Sequence, residues 1–217
     1  MAIDATARMD RMYRHQRHIY DLTRKWFLFG RDTLIDNLSP PSGGHVCEMG
    51  CGTARNLVRI ARRYPWTRLY GLDASGEMLK TAETRILRRD LGPRVQLRYG
   101  LAELRDSYAQ FGPASGFDTV VLSYILSMVP DWRRALDTAI GAVRPGGTVA
   151  LVDFHAVDRL PWPVAPALSA WLARFDVTPH PEVPDRLAAL ERQGVGRAEM
   201  RTILGGYAFL ARFVRAS

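Results

Sequence analysis

Cysteine is scarce in this chain: Cys47 and Cys51 are the only two in 217 residues, too few for a disulfide framework. They stand four apart around a glycine turn, where geometry disfavours a bridge, and two thiols alone do not complete a zinc set. We read them as small buried fillers and expect no metal. No apolar run is long enough to span a bilayer, and the N-terminus lacks the apolar core of a secretion signal. Both absences predict a cytoplasmic protein. There is no internal repeat and no low-complexity linker, so the length predicts one α/β domain. Lysine is almost missing as well, with 2 Lys against 28 Arg. The net charge of +8 suits an anionic partner, nucleic acid or membrane. No base-reading motif and no basic-aromatic strand pattern is visible, so no nucleic-acid partner is expected.

What is present begins with a periodic segment. Residues 7–28 predict a helix: Met9, Met12, Tyr13, Gln16, Ile19 and Tyr20 share one stripe, and most arginines lie off it. "WFLFG" breaks at Gly30, Leu34, Ile35 and Leu38 suggest a short second helix, and Pro40, Pro41, Gly43 and Gly44 end it. From Val46 the pattern turns to alternating β and α. "HVCEMG", "RLYGLDAS", "VQLRYG", "FDTVVLSYIL" and "TVALVDFH" read as strands. "SGEMLKTAETRILRRDLGP" reads as a helix capped by Ser75 and stopped by Gly92–Pro93. Trp132, Leu136, Ile140 and Val143 form another helical stripe, after which "RPGG" turns the chain. Residues 160–193 are helical and interrupted by prolines, and "EMRTILGGYAFLARFV" reads as a hairpin about Gly205–Gly206. The expectation is an α/β, doubly wound, mostly parallel seven-stranded Rossmann-like sheet with a C-terminal β-hairpin. Residues 1–40 are expected to form an N-terminal helical lid, and residues 41–217 the domain.

The stretch "HVCEMGCGTARNL", residues 45–57, carries the chemistry. A phosphate-cradling loop needs Lys and then Ser or Thr after its last Gly, and here Thr53, Ala54 and Arg55 follow Gly52. A dinucleotide fingerprint needs a third Gly, and Arg55 takes that place. What remains is acid-x-Gly-x-Gly at the end of the first strand: Glu48, Gly50 and Gly52. Asp73 ends the second strand, where a carboxylate can accept from both hydroxyls of a ribose.

In these parts the chain resembles the class I S-adenosylmethionine-dependent methyltransferases from residue 45 to its end. The resemblance implies S-adenosylmethionine as cofactor and S-adenosylhomocysteine as product. It places Glu48 in cofactor orientation, and Gly50, Cys51 and Gly52 against the methionine moiety and ribose. Asp73 falls on the ribose diol, and Ala74 and Met78 near adenine. In "YGLAEL", Leu101 stands where many relatives carry Asp, so adenine falls to the backbone at Ala102 or to Glu103. Ser123 and Tyr124 end strand four at the switch point.

The ending "RTILGGYAFLAR" resembles the quinone C-methyltransferases. Residues 13–36, "YRHQRHIYDLTRKWFLFGRDTLID", resemble the opening segment of the BtaB family, N-methyltransferases that convert diacylglyceryl-homoserine to a betaine lipid. That resemblance implies an amino-headgroup membrane lipid as substrate, with phosphatidylethanolamine and then a quinone as alternatives. Residues 1–31 hold seven Arg or Lys against three acids, the composition of an interfacial helix. They predict peripheral docking on the anionic inner face of the membrane. Trp162, Trp171 and Phe175 offer a second surface at headgroup depth. The amine must lose a proton to attack; candidates are Tyr20, Tyr124 and His155, with His18 in the lid. Tyr13, His18, Arg24, Tyr124, Met128 and His155 are the expected substrate contacts. Tyr20 and Arg31 close over the cofactor, and Arg24 and Arg31 are also candidates for the homoserine carboxylate.

Overall fold

Apolar runs bounded by glycine or proline become strands, and the stretches of helical period between them become helices. The computed structural model describes residues 28–109 and 111–217. The helix expected over residues 7–28, with Tyr13, His18, Tyr20 and Arg24, lies outside the described residues except at Leu28. In chain order the elements are α1 (Arg31–Asp36), β1 (His45–Met49), α2 (Arg55–Arg63), β2 (Arg68–Asp73), α3 (Gly76–Leu87), β3 (Val95–Tyr99) and α4 (Asp106–Ala109). There follow β4 (Phe117–Ser123), α5 (Trp132–Ala142), β5 (Val143–Phe154), α6 (Val164–Ala173), α7 (Val183–Arg192), β6 (Gly196–Ile203) and β7 (Ala208–Arg215).

The strands make one seven-stranded sheet in the order β3-β2-β1-β4-β5-β7-β6. β1 to β5 pair in parallel, and β7 runs antiparallel to both its neighbours. This is the doubly wound sheet with a terminal hairpin that the sequence predicts. The hairpin folds back, so the antiparallel strand lies between β5 and β6 and not at the edge. Alternate strand residues face two cores. Val46, Val121, Ala150 and Val152 pack with α1, α2, α3 and α6, while Cys47, Val120, Val149 and Leu151 pack with α5 and α7. Both cysteines are free thiols buried in these cores.

Several boundaries differ from the sequence reading: Val143, expected in the stripe of α5, opens β5, and β6 begins at Gly196 ahead of Glu199. α3 ends at Leu87, five residues before Gly92–Pro93, because Asp90 takes a left-handed conformation at φ 55° and the Leu91 N–H closes on the Ile86 carbonyl. β4 stops at Ser123, not inside "YIL", because Tyr124 is left-handed at φ 56° and turns the chain. "RPGG" does not precede strand five but lies inside β5, where a register shift between Phe117 and Thr119 absorbs it. The aromatic stripe divides. Trp162 is 85% exposed and Phe175 is buried, with Trp171 packed partly buried against the core.

Gly71 replaces the missing third glycine of the turn as the point of close helix–strand approach. A Cβ there would lie 2.7 Å from Leu57 Cδ1, 2.7 Å from Leu97 Cδ2 and 2.9 Å from Cys51 Sγ. Gly71→Ala is therefore expected to overpack this seam and cost about 1–3 kcal/mol, read as a drop in thermal midpoint of about 2–4 °C per kcal/mol.

Candidate cofactor and substrate site

The site is built where the first two parallel strands end. After β1 the chain turns through Gly50 at φ 72° and Gly52 at φ 52°, conformations that glycine adopts at little cost. The Gly50 and Cys51 N–H groups both donate to the Leu72 carbonyl, at 2.7 and 2.9 Å, which pins the turn to the end of β2. A side chain at Gly50 would collide with Ile125 Cδ1 at 2.5 Å. Ala54, at φ 60°, starts α2 without a side-chain cap.

Asp73 joins the two loops. One carboxylate oxygen accepts from the Gly52 N–H at 2.7 Å, and the other from the Ser75 N–H at 2.9 Å. Each oxygen can accept a second hydrogen bond, so the group can hold the turn in shape and still take ribose hydroxyls. Ser75 caps α3 by accepting from the Met78 N–H, as expected.

Glu48 is 1% exposed. Its Oε1 accepts from the Asn56 side-chain amide at 2.7 Å, and its Oε2 is buried without a partner. Burial pushes its carboxyl up to about 8; the Asn56 hydrogen bond and the Arg31 charge pull the other way. A buried carboxylate oxygen with a vacant lone pair calls for a cationic donor. The methionine ammonium of S-adenosylmethionine is such a group, so the residues present fit this cofactor. Asn56 escaped the sequence reading. Its one signal was a polar residue in the first turn of an otherwise apolar and basic helix.

The remaining candidates separate by place. Ala74 is half-buried. Met78 turns into the core, 3% exposed, because with Ala82 and Ile86 it forms the buried stripe of α3. The Leu101 N–H is taken by Ser107 Oγ at 3.1 Å. Ala102 is buried, and Glu103 keeps a buried Oε2 without a partner, its carboxyl raised by burial. Glu103 thus has spare acceptor capacity beside the loop where adenine is expected. Arg31 opens α1 and donates to the Leu28 carbonyl at 3.2 Å.

On the expected substrate side, Ser123 Oγ is buried without a partner. Tyr124 is buried, and its hydroxyl donates to the Phe29 carbonyl at 2.7 Å. Burial holds that phenol well above its ordinary range. This hydroxyl therefore fixes the start of the described chain to the end of β4. His155 follows β5. Its backbone N–H donates to Tyr207, its ring meets Phe209 edge-on at 6.0 Å, and its Nδ1 is buried without a partner. Burial keeps this imidazole below its usual range, hence neutral at pH 7. Met128 packs half-buried against the core. The sequence reading also missed Asp153, which accepts from the Ser127 N–H at 3.2 Å and is raised by burial to about 6. Among the described residues no group of three or more His, Cys, Asp or Glu gathers as a metal site, and no helix is long and apolar enough to cross a membrane.

Comparison with known proteins agrees with this geometry. Residues 47–149, from β1 through α5 into β5, match the family model described as a methyltransferase domain. Over 136 residues the chain is 35% identical to a phosphatidylethanolamine N-methyltransferase of Cereibacter sphaeroides, covering 63% of this chain and 62% of that one. Over 147 residues it is 32% identical to a demethylmenaquinone methyltransferase of Geobacillus kaustophilus, covering 67% and 56%. The chain thus spans 37–62% of the length of the curated relatives it matches. An O-methyltransferase family protein from Burkholderia thailandensis shares the fold at a TM-score of 0.69 and 22% identity, over 94% of this chain and 62% of that one. Sheet order and glycine turn are those of the class I methyltransferase fold, and residues 47–149 match a methyltransferase domain.

Proposed function

We propose that the protein is an N-methyltransferase that acts on the amino headgroup of a membrane lipid. Diacylglyceryl-homoserine, converted to the trimethylated betaine lipid, is the first candidate acceptor. The observation that carries the lipid reading is the 35% identity to a phosphatidylethanolamine N-methyltransferase. That match favours phosphatidylethanolamine as the second candidate. Residues 13–36 and their likeness to the BtaB family favour the first. A quinone C-methyltransferase is the third reading, supported by the demethylmenaquinone methyltransferase match and the "GG" hairpin.

S-adenosylmethionine supplies a methyl already activated on a sulfonium. The chain has to hold this cofactor, align the amine and keep water out. Glu48 and Asp73 hold the cofactor's ammonium and ribose, and the glycine turn lets the backbone close on it. His155, neutral at pH 7, is our candidate for the group that accepts a proton from the headgroup ammonium. Tyr124, bonded to Phe29, positions the segment that leads into residues 1–27. Tyr13, His18, Tyr20 and Arg24 lie in that segment, outside the described residues. We assign them to a lid and to a basic membrane-facing surface on the inner leaflet. Removal of residues 1–28 is expected to abolish activity on lipid while the rest stays folded, as followed by circular dichroism and product assay.

The surface after β5 supports a lipid acceptor. Residues 160–173, "LPWPVAPALSAWLA", carry no charge, yet Trp162 is 85% and Val164 51% exposed. Tryptophan at a rim suits headgroup depth. Trp162→Ala is expected to raise the apparent KM for vesicle-borne acceptor several-fold, with cofactor affinity unchanged. A direct test of the acceptor is lipid analysis of a host supplied with diacylglyceryl-homoserine. New betaine lipid only when the protein is present supports the first candidate, and methylated phosphatidylethanolamine instead selects the second.

A further inference from the structure

The positive charge of the described chain is concentrated in one place. Between α2 and α3 lies an open groove of about 600 Å³, lined by Arg55, Arg59, Arg62, Arg63, Arg85 and Arg89 with Asp36 as its carboxylate. Through Arg85 and Arg89 it continues into a second hollow of about 520 Å³, where Lys80 and Arg88 add two cations and Glu77 one carboxylate. The two hollows carry a net charge of +6. Residues 28–217 as a whole, with 24 cations and 19 carboxylates, carry +5. The rest of the described surface is therefore near balance. Arg59 is held to Asp36 at 3.0 Å and Arg55 to Asp32 at 2.7 Å, which fixes one wall. Arg62, Arg63, Arg88 and Arg89 are exposed at the C-terminal turns of the two helices.

We propose that this groove docks the protein on an anionic phospholipid surface through the phosphates of several headgroups. Arginine binds phosphate through paired N–H donors, and a concave cluster of one sign focuses the field on an anion. The residues next to the arginines choose the source of the phosphate. Trp66, directly after α2, is 47% exposed, and Leu87, the last residue of α3, is 69% exposed. Arg63 lies over the Tyr64 ring at 5.3 Å, and Tyr64 meets Trp66 edge-on at 5.9 Å. Arginine interleaved with exposed Trp and Leu is the composition of a membrane-interfacial surface. The groove also begins at Arg55, directly after the glycine turn, so a surface seated along it reaches the side of the cofactor site. Beyond Trp66 and Leu87, the proposal rests on the lipid reading only in choosing a membrane over free phosphate.

The test uses the full chain and vesicles without any methyl acceptor, so its failure leaves the methylation reading standing. Sedimentation with phosphatidylglycerol–phosphatidylcholine vesicles is compared for the native protein, Arg62→Glu/Arg89→Glu, and Arg192→Glu/Arg197→Glu. The last pair reverses the same charge on exposed residues of α7 and β6, and cofactor affinity checks that all three are folded. The groove variant is expected to lose at least tenfold in vesicle affinity and the control less than threefold, with native binding weakening as salt rises. Equal loss in both variants, or no binding by the native chain, overturns the proposal. So does groove-dependent binding of inositol hexakisphosphate or single-stranded RNA without binding to vesicles.

Discussion

Asp73→Ala is expected to weaken S-adenosylmethionine binding by about tenfold to a hundredfold, or about 1.5–3 kcal/mol for lost charge-assisted hydrogen bonds. Two losses coincide. The ribose hydroxyls lose their acceptor, and the Gly52 and Ser75 N–H groups, which now donate to the carboxylate at 2.7 and 2.9 Å, lose theirs. The second loss loosens the glycine turn even without cofactor. Asp73→Asn, which keeps one oxygen, is expected to fall between the native protein and Asp73→Ala. Titration calorimetry measures all three. Unchanged affinity in a folded Asp73→Ala variant would remove Asp73 from the site.

Cofactor binding is expected to release a proton near neutral pH, and Glu48 is its source. Without cofactor, burial holds the Glu48 carboxyl at about 8, so it is mostly protonated at pH 7. An ammonium beside Oε2 favours the charged form and pulls that value down. Release therefore approaches one proton near pH 7 and vanishes above about pH 9, where the free site is already ionised. Affinity should rise with pH over the same range. The sign for folding is opposite. The folded carboxyl binds its proton more tightly than the unfolded chain does, so Glu48 costs stability as pH rises from about 4.5 towards 8. Asp153, at about 6, adds to this loss at lower pH. Glu48→Gln should abolish the proton release, flatten the stability profile between pH 5 and 8, and weaken cofactor binding about tenfold or more. Calorimetry in buffers of different ionisation enthalpy reads the proton directly.

The parts of the site that were legible in sequence are those set by strand ends. Glu48, Gly50, Gly52 and Asp73 lie at the close of two adjacent parallel strands, and register brings such positions together whatever the rest of the chain does. The Tyr124–Phe29 hydrogen bond spans 95 residues, and no local pattern announces it. Asn56 meets Glu48 only because α2 leaves the left-handed Ala54 at one particular rotation. Asp153 sits inside an apolar strand, where no local pattern singles it out. Met78 went the other way. The resemblance implies a place near adenine, and the helical period of α3 turns the side chain into the core. Most strands were readable because they are short apolar runs between breakers; β6, "GRAEMRTI", is mostly exposed and was read only as half of the hairpin. The ends of elements were less readable, since Tyr124 takes a left-handed conformation that a tyrosine does not signal, and Asp90 takes one ahead of the Gly92–Pro93 stop.

Methyl transfer to a lipid amine is read by incubating the full chain with methyl-labelled S-adenosylmethionine and separate vesicles. These carry diacylglyceryl-homoserine, phosphatidylethanolamine or demethylmenaquinone. Label is expected in the amino lipid, most strongly in diacylglyceryl-homoserine, with loss of that label in Asp73→Ala. Label in the quinone with none in either amino lipid would contradict it.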